Sequence, residues 1–447
     1  MEEEDVMIDT NSREIVLDIL MEILEKGNLS HLVLKQALEK YQYLEKQDRA
    51  FITRITEGTL EYLIQIDSVI NRYSKVKVNK MKPVIRTLLR MSVYQIIYME
   101  RVPDSAVCNE AVKLAKKRKF QGLTGFVNGV LRNISREKEQ LTFTSPAERF
   151  SIPQWMFAMW EEAYGTDTAE KIASSFLEDR PLTVRCNLSR ASVEEIIHSL
   201  KEQGIHAEKS ALSEVMLSIH GYDYLEAVDV FAEGLVTVQD TSSSLVGMIA
   251  SPEKGDFILD VCSAPGGKSM HVADMMEGTG LVESRDLTEY KIMLVEENIT
   301  RCGFTNMRTK VWDATEFDPD MEGKADIVLA DLPCSGLGII GKKPDIKMRL
   351  KEEELDELAG LQREILSVVS RYVKPGGKLI YSTCTINQKE NEENAAWILE
   401  HLPFKKKEIA SVLPEALKSD CVENQIQLLP GIHPCDGFFI AAFEKEV

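Results

Sequence analysis

Asp260-Val-Cys-Ser-Ala-Pro-Gly-Gly-Lys268, Asp331-Leu-Pro-Cys-Ser-Gly336 and Ser382-Thr-Cys-Thr385 each follow a short apolar run that is typical of a buried strand. In an open parallel sheet, ligands bind outside the carboxyl ends of the strands, where the strand order reverses. We therefore expect the three segments to border one crevice. Two cysteines, Cys334 and Cys384, would lie in it.

Around these segments, between Phe257 and the C-terminus, apolar strand patterns alternate with helical ones, which predicts a doubly wound sheet. The predicted strands are Phe257–Val261, Gly280–Ser284, Met307–Val311, Ile327–Ala330, Lys378–Ser382, Gln425–Leu429 and Phe438–Phe443. The last two are too close together for a helical crossover, so we expect an antiparallel hairpin at the sheet edge. Five parallel strands with such a hairpin resemble the Rossmann-like sheet of S-adenosylmethionine methyltransferases.

The loop after the first predicted strand is a candidate cofactor site, because its backbone N–H groups and the next helix N-terminus can receive an anion. Its spacing is neither that of a P-loop nor that of Gly-x-Gly-x-x-Gly, and a Pro-Gly-Gly turn alone is a common connection. Acidic residues also occur at the ends of the next predicted strands. The first of them, Asp286, stands where nucleoside-binding Rossmann folds contact ribose. The line of carboxylates favours a ligand with a cationic sulfonium over a dinucleotide. The predicted cofactor contacts are Cys262, Ser263, Ala264, Pro265, Gly266, Gly267, Lys268, Asp286, Asp313 and Asp331.

Two cysteines at neighbouring strand ends fit the chemistry of methylation at carbon 5 of cytosine. A thiolate must first add to carbon 6, and a second group must later remove the carbon 5 proton. Cys334 and Cys384 meet this need, and geometry alone leaves open which is the nucleophile. A thiol with a reference pKa of about 8.5 needs a helix N-terminus or a cation to ionise at neutral pH, and we expect helices after both segments.

The first 140 residues are predicted to form a helical bundle, because apolar residues recur at three- and four-residue spacing from Ser12 to about Glu139. Beyond the first helix at Ser12, the predicted helices are Asp48–Tyr62, Ile66–Tyr73, Pro83–Met99, Ser105–Lys117 and Gly125–Ser135. Residues 71–120 hold 13 Lys and Arg residues against three acids. This basic region fits a phosphate footprint on an acidic body, and it equally fits a solvated helix face.

Residues 141–235 form a predicted small α+β module, and residues 236–447 the last domain. Helices are expected at Gln154–Tyr164 and Thr166–Leu177, a strand at Leu182–Asn187, and a further helix capped by Ser192. Arg180-Pro-Leu-Thr-Val-Arg-Cys-Asn187 resembles the RNA-contacting segment before many RNA cytosine methyltransferase domains. The alternative is an ordinary strand with a solvent-facing Arg.

Composition restricts the class of protein. With 447 residues, 44% hydrophobic and 28% charged, the chain is expected to be a globular protein of two to three domains. Its start, Met1–Asp5, lacks a basic apolar signal segment and no apolar run approaches a membrane span, so a cytoplasmic protein without a membrane partner is expected. The eight cysteines include no Cys-x-x-Cys pair, so we expect free thiols and no metal site.

Family resemblance sharpens these expectations. Six segments resemble the NusB-like RNA-binding domain: Asp48-Arg-Ala-Phe51, Gly58-Thr-Leu60, Arg90–Ile97, Pro103-Asp-Ser-Ala106, Asn109–Val112 and Gly125–Arg132. Asp331–Gly338 with Lys343-Pro-Asp345, and Tyr381–Thr385 with Glu390-Asn391, resemble motifs four and six of the RNA 5-methylcytosine methyltransferases, although Leu332 replaces the usual Ala. Pro430–Ile440 matches the closing hairpin of that family.

Together these motifs resemble, over the whole chain, the bacterial ribosomal RNA small subunit methyltransferase B (RsmB/Sun) family. The resemblance implies a cytosine-5 methyltransferase of free, unassembled 16S rRNA that uses S-adenosylmethionine. It also implies that Cys384 is the nucleophile and that Cys334 assists proton removal and product release. The alternatives are a DNA cytosine methyltransferase, which would use the Pro-Cys thiol, and a non-catalytic NusB-like RNA-binding scaffold.

Overall fold

The computed structural model describes residues 11–447, which form two compact units. The first unit contains the chain up to Glu178 together with Ile340–Leu350, and the second contains the rest. The start of the chain, Met1–Asp5, on which the expectation about a signal segment rested, lies outside the described residues. The domain boundaries at 140/141 and 235/236 stay predictions.

The first unit is helical, as predicted. Its helices up to residue 178 are α1 Ser12–Leu24, α2 Ser30–Lys40, α3 Lys46–Glu61, α4 Leu63–Tyr73, α5 Pro83–Tyr98, α6 Asp104–Lys117, α7 Thr124–Glu137, α8 Pro146–Arg149, α9 Gln154–Tyr164 and α10 Thr166–Ser175. Every helix predicted in this part of the chain is confirmed, with shifts of no more than three residues at either end. The short α8 and the eleven-residue α2 had not been predicted.

Helix α5 lies in the core of this unit and begins at Pro83, the position expected for a helix-starting proline. Gly58 of α3 contacts its buried Tyr94. A Cβ atom on Gly58 would lie 2.0 Å from Cζ of that ring. The close approach of α3 to α5 therefore requires a residue without a side chain at position 58.

The second unit begins with a small α+β part. Its elements are β1 Leu182–Cys186, α11 Val193–Glu202, β2 His206–Lys209, β3 Met216–His220, α12 Asp229–Ala232 and β4 Val236–Val238. The strands form an antiparallel sheet in the order β2-β3-β1-β4. The predicted cap of α11 is confirmed, since Ser192 and Glu195 form a reciprocal capping box.

Arg185 of β1 does not face solvent, which corrects the interpretation as an ordinary strand with a solvent-facing Arg. The resemblance of Arg180–Asn187 to an RNA-contacting segment stays a prediction. The Arg185 side chain is 0% exposed. Its Nε donates to Gln239 Oε1 at 2.9 Å, and its Nη1 lies 3.6 Å from a carboxylate oxygen of Asp274. Burial lowers the pKa of Arg185 to about 10. Because Asp274 lies outside the small sheet, the Arg185 guanidinium links that sheet to the rest of the second unit.

The rest of the second unit is the doubly wound domain. Its strands are β5 Phe257–Asp260, β6 Leu281–Asp286, β7 Met307–Val311, β8 Ala325–Asp331, β9 Val373–Thr383, β10 Phe404–Lys406, β11 Cys421–Val422, β12 Gln425–Leu428 and β13 Phe438–Lys445. Its helices are α13 Thr241–Ala250, α14 Gly267–Met275, α15 Glu289–Cys302, α17 Glu354–Val369 and α18 Glu392–His401, while α16 Ile346–Arg349 belongs to the first unit. No helix within residues 11–447 combines the length and the apolar character needed to cross a membrane.

The sheet order is β11-β12-β13-β9-β8-β5-β6-β7, with β10 paired to β13. All seven predicted strands are confirmed, and β5 to β9 pair in parallel. The expected antiparallel hairpin is β12–β13, whose second strand pairs with β9. Because the order reverses at β5, the crevice predicted for the ligand lies beyond the carboxyl ends of β5 and β8.

The segment Ile340–Leu350 leaves the second unit and packs within the first. Ser30 of α2 donates a short hydrogen bond to the buried carboxylate of Asp345, and the Lys347 ammonium donates to the backbone carbonyl of Glu61. Met348 packs against the hydrophobic core of the helices. This segment follows directly after the loop that carries Cys334, so the chain passes from that loop into the helical core.

Candidate active site

The loop Cys262–Lys268 connects β5 to α14. Gly266 has a φ of +100°, and a Cβ atom there would lie 3.2 Å from Cγ1 of Val295. The left-handed turn at Gly266 directs the chain into α14, which begins at the next residue. The backbone N–H of Ala264 donates to Oδ2 of Asp286 at 3.0 Å. The loop is therefore anchored to the carboxyl end of the neighbouring strand β6.

Of the three predicted acids, Asp286 and Asp331 are the last residues of β6 and β8 and Asp313 follows β7, but they have different partners. Asp286 accepts from the loop and pairs with Lys291 at 2.9 Å. Asp313 accepts hydrogen bonds from the backbone N–H and the hydroxyl of Thr315, at 2.9 and 2.7 Å. These bonds hold Asp313 within its own turn. Two of the three acids, the first and the last, contact the loop or its lysine.

The third acid, Asp331, links the segment Cys262–Lys268 to the cysteines. Its Oδ2 lies 2.7 Å from Nζ of Lys268, and its Oδ1 accepts from Oγ of Ser382 at 2.8 Å. Asp331 and Ser382 are aligned in the register of the parallel pair β8–β9. The ends of β5, β8 and β9 thus meet at one point, where sequence reasoning had expected a common crevice.

The two thiols lie side by side. Sγ of Cys334 is 3.3 Å from Sγ of Cys384, and both residues are half-buried free thiols. The loops that carry them are joined by backbone bonds: Leu332 N–H donates to the Ser382 carbonyl, and Gly338 N–H donates to the Cys384 carbonyl, each at 3.1 Å. Two sulfur atoms at this distance can act in turn on one substrate.

Lys268, predicted as a cofactor contact, is part of this cluster. Burial disfavours its charge, but the charges of Asp331 and then of Cys384 outweigh burial and raise the pKa of Lys268. Its ammonium also lies 5.2 Å from the centre of the Phe438 ring. An attraction between two charges acts on both, so the ammonium favours the thiolate form of Cys384.

Cys334 has the opposite electrostatic surroundings. Its hydrogen bond to Cys384, then burial and the negative charges of Cys384 and Glu390, raise the pKa of Cys334 well above that of a free thiol. Burial and nearby carboxylates likewise raise the pKa of Cys262, so the cysteine of the loop after β5 is a neutral thiol. Lys291 also acts on Cys262 but does not offset burial and the carboxylates there, whereas the cation beside Cys384 is Lys268.

Helices follow both thiols, as expected, but neither thiol lies next to a helix N-terminus. Cys334 is followed by a single 3-10 turn, Leu337–Ile339, and α18 begins only at Glu392, eight residues after Cys384. Gly336 with positive φ lets the chain turn without a helix. The charge that favours a thiolate therefore comes from a lysine side chain.

Two further residues were not predicted. Asp260 ends β5 with its Oδ2 accepting from Oγ of Ser269, and burial raises its pKa to about 7. Glu390 is 0% exposed, and its Oε2 accepts a hydrogen bond from the backbone N–H of Ser335 in the loop that contains Cys334. Both belong to quoted motifs, but a carboxylate in a motif does not by itself reveal whether it is buried, so the sequence held only a weak signal.

Three parts of the chain match models of known protein families. Residues 247–444 match the family model described as 16S rRNA methyltransferase RsmB/F, and residues 10–136 match the NusB family. Residues 152–222 match the RsmF/B-like methyltransferase ferredoxin-like domain. The predicted fold class is thereby confirmed: a NusB-like helical domain, a small α+β module and a methyltransferase domain.

Similar proteins cover the full length. "Probable ribosomal RNA small subunit methyltransferase B" of Bacillus subtilis is 36% identical over 98% of this chain and 100% of its own. The protein with the same description from Synechocystis is 30% identical over 97% of this chain and 99% of its own. The crystal structure of PH0851 superposes with a TM-score of 0.83 at 27% identity, covering 98% of this chain and 100% of that one. NSun6 from Pyrococcus horikoshii with SFG, at 21% identity and a TM-score of 0.58, shares the fold over 66% of this chain and 98% of its own.

Proposed function

Because the chain belongs to the family of 16S rRNA methyltransferases RsmB/F, we propose that it transfers a methyl group from S-adenosylmethionine to carbon 5 of a cytosine in 16S rRNA. Cys384 is the nucleophile, and Cys334 assists proton removal and product release. The observation that carries this proposal is the pair of free thiols with Sγ atoms 3.3 Å apart at the ends of adjacent parallel strands.

The chemistry requires two groups acting in sequence. The Cys384 thiolate bonds to carbon 6, which makes the π electrons of the ring available at carbon 5. S-adenosylmethionine, when bound, supplies a methyl group on a sulfonium, an electrophile that carbon 5 can attack. Cys334 first loses its own proton to solvent, and its thiolate then takes the carbon 5 proton. The double bond between carbons 5 and 6 re-forms, and the bond from carbon 6 to Cys384 breaks, which returns the thiolate.

Electrostatics supports this assignment of roles. A nucleophilic cysteine reacts as a thiolate, which a nearby cation stabilises. Lys268 lies beside Cys384, whereas the carboxylate of Glu390 contributes to the raised pKa of Cys334. The thiol with the cationic neighbour is the better nucleophile at neutral pH.

The residues proposed to hold S-adenosylmethionine are the loop Cys262–Lys268 with Asp286, Asp313 and Asp331. The loop fits a polar ligand, because Oγ of Ser263 and Oδ1 of Asp260 are buried without a hydrogen-bond partner among residues 11–447. Buried polar atoms without partners are costly, so a group that donates and accepts hydrogen bonds is expected beside them. Carboxylates near this loop also suit a ligand with positive charge.

The helical unit is proposed to bind the RNA. Six of its 13 basic residues in 71–120 form ion pairs with acids: Arg72, Arg86, Arg90, Lys113, Lys117 and Arg118. Lys75, Lys77, Lys80 and Lys82 are exposed and form no ion pair among the described residues. Arg101, Lys116 and Lys119 are exposed and outside the ion pairs of the described residues as well, but the four lysines between α4 and α5 are the densest group of basic charge available for phosphates.

The proposed substrate is free 16S rRNA before subunit assembly, in the cytoplasm. Enzymes that act on a base need it outside the stacked helix, and sequence-specific RNA proteins use loops and bulges. A cytosine in a hairpin loop is therefore the expected target. No DNA partner is expected.

The test compares wild type, Cys384→Ala and Cys334→Ala on 16S rRNA transcripts with labelled S-adenosylmethionine. Cys384→Ala should abolish both methyl uptake and the covalent adduct. Cys334→Ala should form an adduct that persists, because its release is impaired. Bisulfite mapping of the rRNA would then give the methylated position.

Other outcomes would contradict the proposal. If Cys334→Ala abolished the adduct and Cys384→Ala kept it, the roles would be reversed, as in DNA cytosine methyltransferases. Methyl uptake by DNA in preference to RNA would also exclude an RNA enzyme. Failure of the wild type to bind S-adenosylmethionine in calorimetry would support a non-catalytic RNA-binding scaffold.

A further inference from the structure

Glu390 is a fully buried carboxylate in the loop after Cys384. Its Oε2 accepts hydrogen bonds from the backbone N–H of Ser335 and from Nε2 of Gln362, both at 2.9 Å. Its Oε1 accepts from Nδ2 of Asn387 at 3.0 Å and from the hydroxyl of Ser335 at a shorter distance. Four donors thus converge on two oxygens, which is enough to stabilise a buried charge.

These bonds connect the two loops that carry the thiols. Ser335 directly follows Cys334, and its hydroxyl lies 2.7 Å from that of Thr385, which directly follows Cys384. Gln362 of α17 also donates to the carbonyl of Pro333, the residue before Cys334, at 2.8 Å. The backbone on both sides of Cys334 is therefore held by the donors that surround Glu390.

Glu390 does not contact a reacting group itself. Its side chain is 0% exposed, and its oxygens are occupied by protein donors. A carboxylate bound in this way is poorly suited to exchange protons with a substrate. Any effect on the reaction must pass through the residue that it positions.

We propose that Glu390 is a positioning residue that holds Cys334 against Cys384 and so determines how fast the covalent RNA adduct is resolved. This inference rests on the proposed function, because the adduct belongs to it. Glu390 also contributes, after the hydrogen bond to Cys384 and burial, to the raised pKa of Cys334. Position and charge therefore act on the same thiol.

The test variant is Glu390→Gln in the full chain. Gln keeps the size of the side chain but presents an NH₂ group to donors, so at least one buried donor loses its acceptor. With cytidine RNA, resolution of the adduct should slow about tenfold or more, since displacement of a reacting group by about 1 Å can cost about a hundredfold. With 5-fluorocytidine RNA, which traps the adduct, the formation rate should change less than about threefold, because Lys268 and Cys384 are untouched.

The matched control is Glu393→Gln, which removes an exposed carboxylate from α18, three residues along the chain. It should leave both rates at the wild-type value. Ser335→Ala, which removes only the hydroxyl between the loops, should slow resolution in the same direction and provides the test if Glu390→Gln does not fold. Thermal denaturation and S-adenosylmethionine binding identify folded variants.

A double-variant cycle separates positioning from a general structural effect. Added to Cys334→Ala, Glu390→Gln should slow resolution no further, because its target is already absent. Additive slowing, equal losses of formation and resolution, or wild-type rates for both would overturn the inference. If the wild type itself traps no adduct on 5-fluorocytidine RNA, the proposed function fails; if it does but Glu390→Gln resolves normally, only the positioning role fails.

Discussion

Lys347 offers a quantitative test of how the segment Ile340–Leu350 is held in the helical unit. The residue is 3% exposed, and its ammonium donates to the backbone carbonyl of Glu61. Burial lowers the pKa of Lys347 from 10.5 to about 7, with a smaller opposing contribution from the charge of Glu61. The folded protein therefore releases this proton at a lower pH than the unfolded chain.

The sign of the pH dependence follows from proton binding. Between about pH 7 and 10.5 the unfolded chain holds a proton that the folded protein has lost, so this group makes stability rise with pH. In the middle of that window the slope is about 1.4 kcal/mol per pH unit. Lys347→Met removes the slope. The free energy of unfolding of the variant minus that of wild type should therefore fall by about 3 kcal/mol between pH 7.5 and 9.5.

A second effect of the substitution does not depend on pH in this window. Loss of the ammonium leaves the Glu61 carbonyl without this donor, at a cost of about 1–3 kcal/mol. This cost shifts the whole curve without changing its slope. Only the slope therefore reports the buried ammonium.

The assay is urea unfolding of the full chain, followed by circular dichroism at several pH values. At each pH, the free energy of unfolding of the variant is subtracted from that of the wild type, and both values are taken from the same unfolding transition. The control is Lys75→Met, an exposed lysine of the same unit, which should give a difference independent of pH. Parallel curves for wild type and Lys347→Met would refute the reasoning, because a lysine without a perturbed pKa produces no differential slope.

Three further outcomes are expected. Lys268→Met should slow adduct formation by about tenfold or more at neutral pH, because it removes the cation that favours the Cys384 thiolate and each unit of increase in a thiol pKa lowers the thiolate fraction about tenfold; an unchanged trapping rate on 5-fluorocytidine RNA would contradict this. Gly58→Ala should destabilise the protein by about 1–3 kcal/mol in thermal denaturation through overpacking against the Tyr94 ring, and an unchanged Tm would exclude that contact. Lys80→Ala with Lys82→Ala should weaken RNA binding and reduce its salt slope by roughly two, as titration at several salt concentrations would measure; an unchanged slope would place the RNA elsewhere.

Strands β5 and β8 of the central sheet were predictable because they are covered on both faces. A parallel strand buried in this way is a continuous apolar run, as in Ile327–Ala330, and the pattern needs no knowledge of the fold. β2 is the opposite case, since three of its four residues are exposed and none is buried. Helix α2 buries only Ser30 and Leu34, so no apolar stripe identifies it.

Long-range burial was not predictable from local patterns. Arginine is usually an exposed residue, yet the guanidinium of Arg185 is enclosed between Gln239 and Asp274. Lys347 bonds to Glu61, 286 residues earlier in the chain. Periodicity describes which face of an element is apolar, whereas these contacts depend on which elements the fold brings together.

The roles of the two cysteines likewise depend on contacts that only the fold creates. By sequence, Cys334 and Cys384 are equivalent, because each follows a buried strand. In the fold, Lys268 lies beside Cys384, and the hydrogen bond to Cys384 is the largest cause of the raised pKa of Cys334. Once Cys384 is bonded to the RNA, its thiolate no longer exists and that cause disappears. In the proposed mechanism Cys334 therefore becomes easier to ionise only after the adduct has formed, which orders nucleophilic attack before proton removal.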